Sequence, residues 1–428
     1  MAVEPILSPY DGTVVGEMPV SEAADIELAI GRAQKAFEQL KQMPRFVRAD
    51  ILERAAQLIH DKKQQFVDLI VAEAGKPLYD ARGEVSRAVF NLKNAAAEAR
   101  RFSGEEVPLD VDAAVFEYQT TDANGNPVAL DQLDVSALQQ IRRRVGIARR
   151  YPIGPILGIA PFNFPLNLVM HKVAPALAVG NSIVLKPAPP TPLTALLLQE
   201  VFLEAGLPEG GLEICHCDIP NAEAMVRDER FAMVSFTGSA KVGWHIKSMA
   251  GRKKVALELG GNGAVIVAED ADIDLAATRC VRGGVVYGGQ YCIGVQRIIV
   301  HESVFEAFKE RLLEKVAACR LGNPAEEGID IGPVIDEGSA IRIKSWVDEA
   351  IASGATLLAG GSRERALMQA TVLTDTQTGM KVEDEEIFGP VLTVNAYTDF
   401  DEAVARAANS RYGLQGGLFT NDLRRAFR

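Results

Sequence analysis

The chain has 428 residues, 48% of them hydrophobic and 24% charged, and carries a formal charge of −12. That length holds two or three domains, and that balance suits a globular protein with a buried core. The acidic total argues against nucleic acid or an anionic membrane as partner, and no apolar run reaches the length of a membrane span.

Residues 1–20 read as short extended pieces with a turn at Asp11-Gly12. Ser21 is placed to cap a helix over about 22–41, in which Ile26, Ile30, Ala33, Phe37 and Leu40 recur at helical spacing. A second helical stretch covers about 46–74, ending near Gly75, and a third covers about 78–102. Three amphipathic helices in succession form a layer that needs a sheet to cover. Residues 107–150 change character to Val-, Thr- and Arg-rich alternation with a turn signal at Asn124-Gly125-Asn126-Pro127, which reads as a projecting two-stranded ribbon. A ribbon of that kind is marginal alone and needs a surface to pack on, such as a neighbouring subunit. Its basic positions, Arg142, Arg143, Arg144, Arg149 and Arg150, read as a solvated strand face.

From Pro155 the pattern is strand–helix alternation: PILGIAP, a helix over about 164–178, SIVLKP, a helix over about 192–205, LEICHC, then MVSFTGS. Short, fully apolar strands between helices indicate a parallel sheet covered on both faces. A second α/β set follows, with AVIV at 264–267, a helix over about 272–287, RIIVH at 297–301 and a helix over about 303–317. The seam between the two sets falls near Glu258. Five cysteines, an odd number, suit free thiols in a reducing compartment, which points to the cytoplasm. The N-terminus lacks the charged-then-apolar pattern of a leader. Cys215-His216-Cys217 lacks a second ligand pair, so no metal is expected there.

Four local patterns carry chemistry. Glu258 leads into the glycine pair Gly260-Gly261, and Cys292 follows Gly288, Gly289 and Gln290. Glycines let backbone approach a ligand closely, and a thiol acts as a nucleophile only with a base or a positive field nearby. Glu258 and Cys292 are therefore a candidate base–nucleophile pair, against the plainer alternative of a buried structural cysteine and a surface glutamate. Strand MVSFT runs into Gly238-Ser239 and a helix, a junction where free N–H groups attract phosphate. Lys186 ends strand SIVLK, at the carboxyl edge where open α/β sheets bind ligands; a solvated strand-end lysine is the alternative. Asn163 lies between Pro161 and Pro165, which stiffen the backbone around an amide able to donate to an oxyanion or, alternatively, to tie down its own turn.

PFNFP, SIVLKP, FTGS, ELGGN, GGQYC and EEIFGPV, in this order and spacing, resemble the aldehyde dehydrogenase superfamily over essentially the whole chain. The resemblance is strongest to lactaldehyde dehydrogenases and non-phosphorylating glyceraldehyde-3-phosphate dehydrogenases. It implies a Rossmann-like cofactor domain from residues 1–106 and 151–258, an oligomerisation ribbon at 107–150 and an α/β catalytic domain from 259–428, assembled as a homodimer or homotetramer. By the same resemblance Cys292 attacks an aldehyde, Asn163 stabilises the oxyanion, Glu258 activates the hydrolytic water and Lys172 relays protons. NAD or NADP is held by Ile159, Pro161, Phe162, Lys186, Gly238, Ser239, Leu259, Glu386 and Phe388. The aldehyde tunnel is lined by Phe164, Asn167, Leu168, His171, Tyr291 and Ile293, the first four of these falling on one helical face.

The pattern departs from the family at three places. Pro189 stands where many NAD-preferring members carry a ribose-binding glutamate, which leaves both NAD and NADP open. Tyr291 stands where phosphate-recognising relatives place an arginine, so an unphosphorylated small hydroxyaldehyde such as lactaldehyde is expected. The chain ends at LRRAFR, where the resemblance implies some tens of further residues, among them a strand that pairs with another subunit's ribbon. Two other readings share the fold: coenzyme A-acylating chemistry, which Glu258 argues against, and an idle scaffold, which has no physical reason to keep Cys292, Glu258, Asn163 and Glu386 together.

Overall fold

The computed structural model describes residues 2–109, 124–126 and 145–428. The ribbon reading therefore falls largely outside the described residues; its base is the antiparallel pair Glu105–Val107 and Gly146–Ala148. The metal-free reading of Cys215-His216-Cys217 meets a plain alternative partner, since His216 Nε2 lies 2.7 Å from the Glu4 carboxylate.

The first helix spans Ala23–Leu40, and its N-cap is Glu22, boxed with Asp25, rather than Ser21. Ser21 uses its N–H on the His216 carbonyl at 2.7 Å, which fixes the chain one residue short of the helix. The stretch expected as one helix over 46–74 is two, Arg45–Asp61 and Lys63–Ala74. Lys62 between them has φ −89 and ψ 16, so the axis breaks without proline or glycine, a case where packing overrides local propensity. Leu78–Arg101 completes the layer.

The last three of these helices cover one face of a five-stranded parallel sheet. In spatial order its strands are Leu212–Ile214, Ile183–Lys186, Ile156–Ile159, Met233–Thr237 and Lys254–Glu258. Numbered along the chain that order is 3-2-1-4-5, the dinucleotide-binding arrangement, with its crevice at the carboxyl ends where the winding reverses. Side chains alternate across the sheet. Ile156, Ile183 and Leu185 join Leu52, Ile59, Phe66 and Leu92 of the helical layer. Leu157 and Val184 point the other way, against Ile26, Ile30 and Phe231. Leu92 is wholly buried, and Leu92→Ala there would cost about 2–5 kcal/mol through the cavity it leaves.

Residues 259–262 lead directly from the last strand of this sheet into Gly263–Val267, the first strand of another. That second sheet has six strands, in order Thr356–Ala359, Thr371–Thr374, Val391–Tyr397, Val295–His301, Gly263–Val267 and Gly416–Phe419. Only the Thr356–Ala359 strand is antiparallel to its neighbour. Val265, Ile298, Val300, Val372 and Val394 fill its core with the helices Ile273–Val285 and Glu302–Ala317. The Ile273 helix was expected to run to about 287 but stops at Val285. Its chain then tightens into a short 3₁₀ turn, Val286–Gly289, in which Tyr287 and Gly288 have left-handed backbone. That turn delivers Cys292 to the carboxyl edge of the first sheet. Among the described residues, no helix is long and apolar enough to cross a membrane.

Candidate active site

The dinucleotide crevice is assembled from strand ends. Lys186 closes its strand almost fully buried, with Nζ 3.4 Å from the Pro187 carbonyl; burial pushes its pKa down, with Cys217 and Asp218 opposing. Gly238 donates its N–H to the Glu258 carbonyl at 3.0 Å, which binds the Gly-Ser turn to the end of the neighbouring strand. Ser239 is the N-cap of helix Ala240–Met249, yet its side chain makes no capping bond. The first N–H groups of that helix are thus left for an anionic ligand, which fits a pyrophosphate. Leu259 packs so tightly on this helix that a Cβ on Gly243 would lie 2.4 Å from its Cδ2. Pro161 and Phe162 follow Ile159, and the Phe162 ring meets the Phe388 ring edge-on at 5.7 Å. Of the residues inferred from sequence for the cofactor, Ile159 and Lys186 end neighbouring strands, Gly238 and Ser239 follow a third, and Glu386 and Phe388 come from the loop before strand Val391–Tyr397.

Glu386 is placed by the glycine pair. Its Oε1 accepts the Gly261 N–H at 2.9 Å, and a Cβ on Gly260 would sit 2.1 Å from its Oε2. A Cβ on Gly261 would sit 2.5 Å from the Cys292 carbonyl oxygen. The ELGG turn therefore needs two glycines for clearance: one for the Glu386 carboxylate and one for the Cys292 backbone. Burial raises the Glu386 pKa, with the Gly261 N–H and Arg342 pulling it back.

Cys292 is half-buried, and its surroundings are not those of a ready thiolate. Burial raises its pKa first, and the Glu386 carboxylate adds to the rise. Of the two ways to activate a thiol, a positive field is not what surrounds this one; carboxylates are, as the expected pairing with Glu258 requires. Asn163, 2% exposed, donates its Nδ2 to the Gln290 carbonyl at 2.9 Å, tying the PFNFP turn to the loop two residues before the thiol. An amide nitrogen has two N–H groups, so one remains. Its Oδ1 is buried with no partner among the described residues, which costs about 1–3 kcal/mol. Gln290 is itself pinned, accepting the Ile335 N–H at 2.8 Å.

Cys292 and Glu258 line one cavity of about 620 Å³ together with Lys172. Glu258 ends its strand with an exposed side chain. Lys172 is buried on helix Asn167–Ala178 and donates to Thr237 Oγ1 at 2.6 Å. Burial drops its pKa to about 8, with Glu258 opposing, so this amine can exchange a proton near neutral pH. Phe164, Asn167, Leu168, His171, Tyr291 and Ile293, inferred from sequence as the tunnel, all line the same cavity. The Phe164 and Tyr291 rings meet edge-on at 4.9 Å, and Asn167 Oδ1 accepts from Asn91 Nδ2 at 2.8 Å. His171 keeps much of its surface open to solvent at the cavity, while partial desolvation of its ring, then Lys172 and Arg87, lowers its pKa.

Arg87 was not singled out from the sequence. It reaches the cavity from helix Leu78–Arg101 and has no ion-pair partner among the described residues. The available signal was the polar row Glu84, Arg87, Asn91 at helical spacing, beside the apolar row Ala81, Val85, Ala88, Leu92.

A dinucleotide-type sheet facing a cavity that holds a thiol, a carboxylate and a proton-exchanging lysine defines an oxidoreductase class. The family model described as "Aldehyde dehydrogenase family" matches residues 2–428, and the chain belongs to that family. It is 38% identical over 424 residues to a 3-sulfolactaldehyde dehydrogenase of Priestia aryabhattai, covering 99% of this chain and 83% of the relative. A lactaldehyde dehydrogenase of Methanococcus vannielii is 33% identical, covering 99% and 85%. Among solved structures, aldehyde dehydrogenase 21 of Physcomitrella patens, in complex with its reaction product succinate, superposes with a TM-score of 0.91 at 39% identity, covering 100% of this chain and 84% of that one. The glyceraldehyde-3-phosphate dehydrogenase GapN of Methanocaldococcus jannaschii, complexed with NADP, gives 0.89 at 33%, covering 99% and 86%. The protein is an NAD(P)-dependent aldehyde dehydrogenase with the fold of that family.

Proposed function

We propose that the protein oxidises a short polar aldehyde to its carboxylate, with Cys292 as nucleophile. The observation that carries this is the shared cavity of Cys292 and Glu258, with the Asn163 amide tied to the Gln290 carbonyl at its edge. Cys292 Sγ adds to the carbonyl carbon as its proton passes to Glu258. The oxyanion receives the remaining Asn163 N–H and the backbone N–H of Cys292. The nicotinamide group, when bound, accepts the hydride, and the carbon stays on sulfur as a thioester. Lys172, in the same cavity, takes the thiol proton from Glu258 and passes it on, which restores the carboxylate. Glu258 then takes a proton from water as that water attacks the thioester carbon, and the Cys292 thiolate leaves and is reprotonated by Glu258. Lys186, Gly238 and Ser239 hold the pyrophosphate and ribose side of the cofactor, and Ile159, Pro161, Phe162, Leu259, Glu386 and Phe388 hold its nicotinamide side.

For the substrate, Arg87, His171 and Asn167 place a cation and two polar groups on the cavity wall. This supports an aldehyde that carries a hydroxyl or an acidic tail. The named substrate of the Priestia relative and the succinate product of the Physcomitrella enzyme agree with an acidic tail. The free-thiol complement supports a cytoplasmic setting, and the exposed Val107, Val145 and Ile147 at the ribbon base support a homodimer or homotetramer, which light scattering decides.

The test is reduction of NAD and of NADP with 3-sulfolactaldehyde, succinic semialdehyde and lactaldehyde, without coenzyme A. Turnover lost in Cys292→Ala supports the mechanism. An acidic-tail substrate whose kcat/KM drops about tenfold or more in Arg87→Ala, while that of lactaldehyde is unchanged, supports the substrate reading. Turnover retained in Cys292→Ala refutes the mechanism.

A further inference from the structure

Between helices Lys63–Ala74 and Leu78–Arg101 lies a buried ion pair that is not itself part of the cavity lining: the Lys76 ammonium against the Glu84 carboxylate, both side chains with no exposed surface. Burying two charges costs several kcal/mol per ion, and an apolar pair of equal volume packs as well or better. Capping alone does not call for the lysine. Glu73, three residues earlier, is as deeply buried and accepts the N–H groups of Leu193 at 2.9 Å and Thr194 at 3.0 Å, with no cation partner among the described residues.

The pair has instead a hold on each half of the chemistry. Glu84 Oε1 accepts the N–H groups of Leu166 at 2.9 Å and Asn167 at 3.0 Å, at the end of the turn that carries Asn163. Lys76 Nζ lies 3.5 Å from the centroid of Phe164, on that same turn, and 4.6 Å from the centroid of Tyr287, on the loop that leads to Cys292. Tyr287 has a left-handed φ of 48, costly for a non-glycine residue. Two bonds from the Lys76 side hold it there: its hydroxyl donates to the Ala74 carbonyl at 2.6 Å, and Asp80 Oδ2 accepts its N–H at 3.3 Å.

We propose that Lys76 and Glu84 are positioning residues that set the Asn163 amide in register with the Cys292 thiol, the ammonium joining the two rings and the carboxylate fixing the amide turn. The proposal rests on Cys292 and Asn163 acting as nucleophile and oxyanion donor. A cation desolvated between two ring faces resists separation of the elements that carry them. Neither residue meets the substrate, so their loss acts on the rate of the chemical step rather than on cofactor affinity.

The test is the double variant Lys76→Met/Glu84→Gln, which keeps the volume and a capping oxygen for Leu166 and Asn167 and leaves no orphaned charge. Its kcat is expected to fall about 10²-fold, the scale of a misplacement near 1 Å, while KM for NADP stays within about twofold. Glu73→Gln, a carboxylate of the same depth that caps a helix elsewhere, is expected to lower the melting temperature and leave kcat within about twofold. A folded, NADP-binding double variant with the parent kcat overturns the proposal. So does an equal fall of kcat in Glu73→Gln, because general loosening then explains both. If the double variant does not fold, Tyr287→Phe decides: it keeps the ring and frees it from Ala74, and a several-fold fall in kcat supports the proposal while a parent kcat overturns it. Turnover that survives Cys292→Ala in the same assay refutes the reading of the nucleophile and is separable from either result.

Discussion

The two sides of the cavity are held in different ways. On the five-stranded side, Thr237 and Glu258 are strand-end residues, carried by regular hydrogen-bonded structure with no strained backbone. On the six-stranded side, Cys292 follows three successive left-handed residues, Tyr287, Gly288 and Gly289, and a Cβ on Gly289 would sit 2.0 Å from the Gly389 carbonyl oxygen. The first side is defined by which side chains stand at fixed places. The second is defined by how closely backbones approach. A deletion of a functional group tests the former, and the addition of a single methyl tests the latter.

The largest effect is expected at the thiol itself. Cys292→Ala should lower kcat on the order of 10⁶-fold, leaving NADP binding intact by fluorescence titration. On the strand-end side, Glu258→Gln should lower steady-state turnover about 10²–10⁴-fold and slow the first-turnover burst of reduced cofactor as well, because Glu258 takes the thiol proton before the thioester forms and the water proton after it. A burst that persists at the parent rate while turnover falls would show that Glu258 acts only after the thioester.

The backbone side predicts a comparable loss from a smaller change. Gly260→Ala drives a methyl into the Glu386 carboxylate, and Gly261→Ala drives one into the Cys292 carbonyl, so each should cost about 10²-fold in kcat. Gly413→Ala, where a Cβ has open space, should stay within about twofold. Equal losses at all three glycines would erase the contrast between the two sides.

The smallest effect concerns Lys172. In the folded chain it loses its proton near pH 8 rather than near 10.5, because burial disfavours the ammonium. Between those values the unfolded chain binds more protons than the folded one, so stability rises with pH through that window, and the penalty of the buried charge is fully present below it. Lys172→Met should abolish the rise, seen as a parent-minus-variant melting difference that changes between pH 7 and pH 10. A difference constant across that range would mean that the amine is not depressed.

Much of the fold was legible because hydrophobic patterning is local. Short apolar strands between helices announced a parallel sheet, and MVSFT-Gly-Ser and SIVLK marked its ligand-binding edge. The break at Lys62 and the early end of the helix at Val285 were not legible, since no proline or glycine marks the first, and the second depends on Tyr287 reaching Ala74 across the fold. Within the site, the glycine pair announced close approach but not what approaches.

The sequence by itself determined the order of elements, the candidate thiol and carboxylate, and the family to which the chain belongs, since each lies in a contiguous stretch whose local pattern carries it. Tertiary structure alone decided what those stretches meet: Glu386 over Gly260, the Asn163 amide on the Gln290 carbonyl, Arg87 in the cavity, and Lys76 between two rings. It also decided that the Cys292 pKa is raised rather than lowered, because a thiol's pKa answers to burial and to carboxylates brought in from distant parts of the chain, and those arrive only when the two sheets close on one cavity.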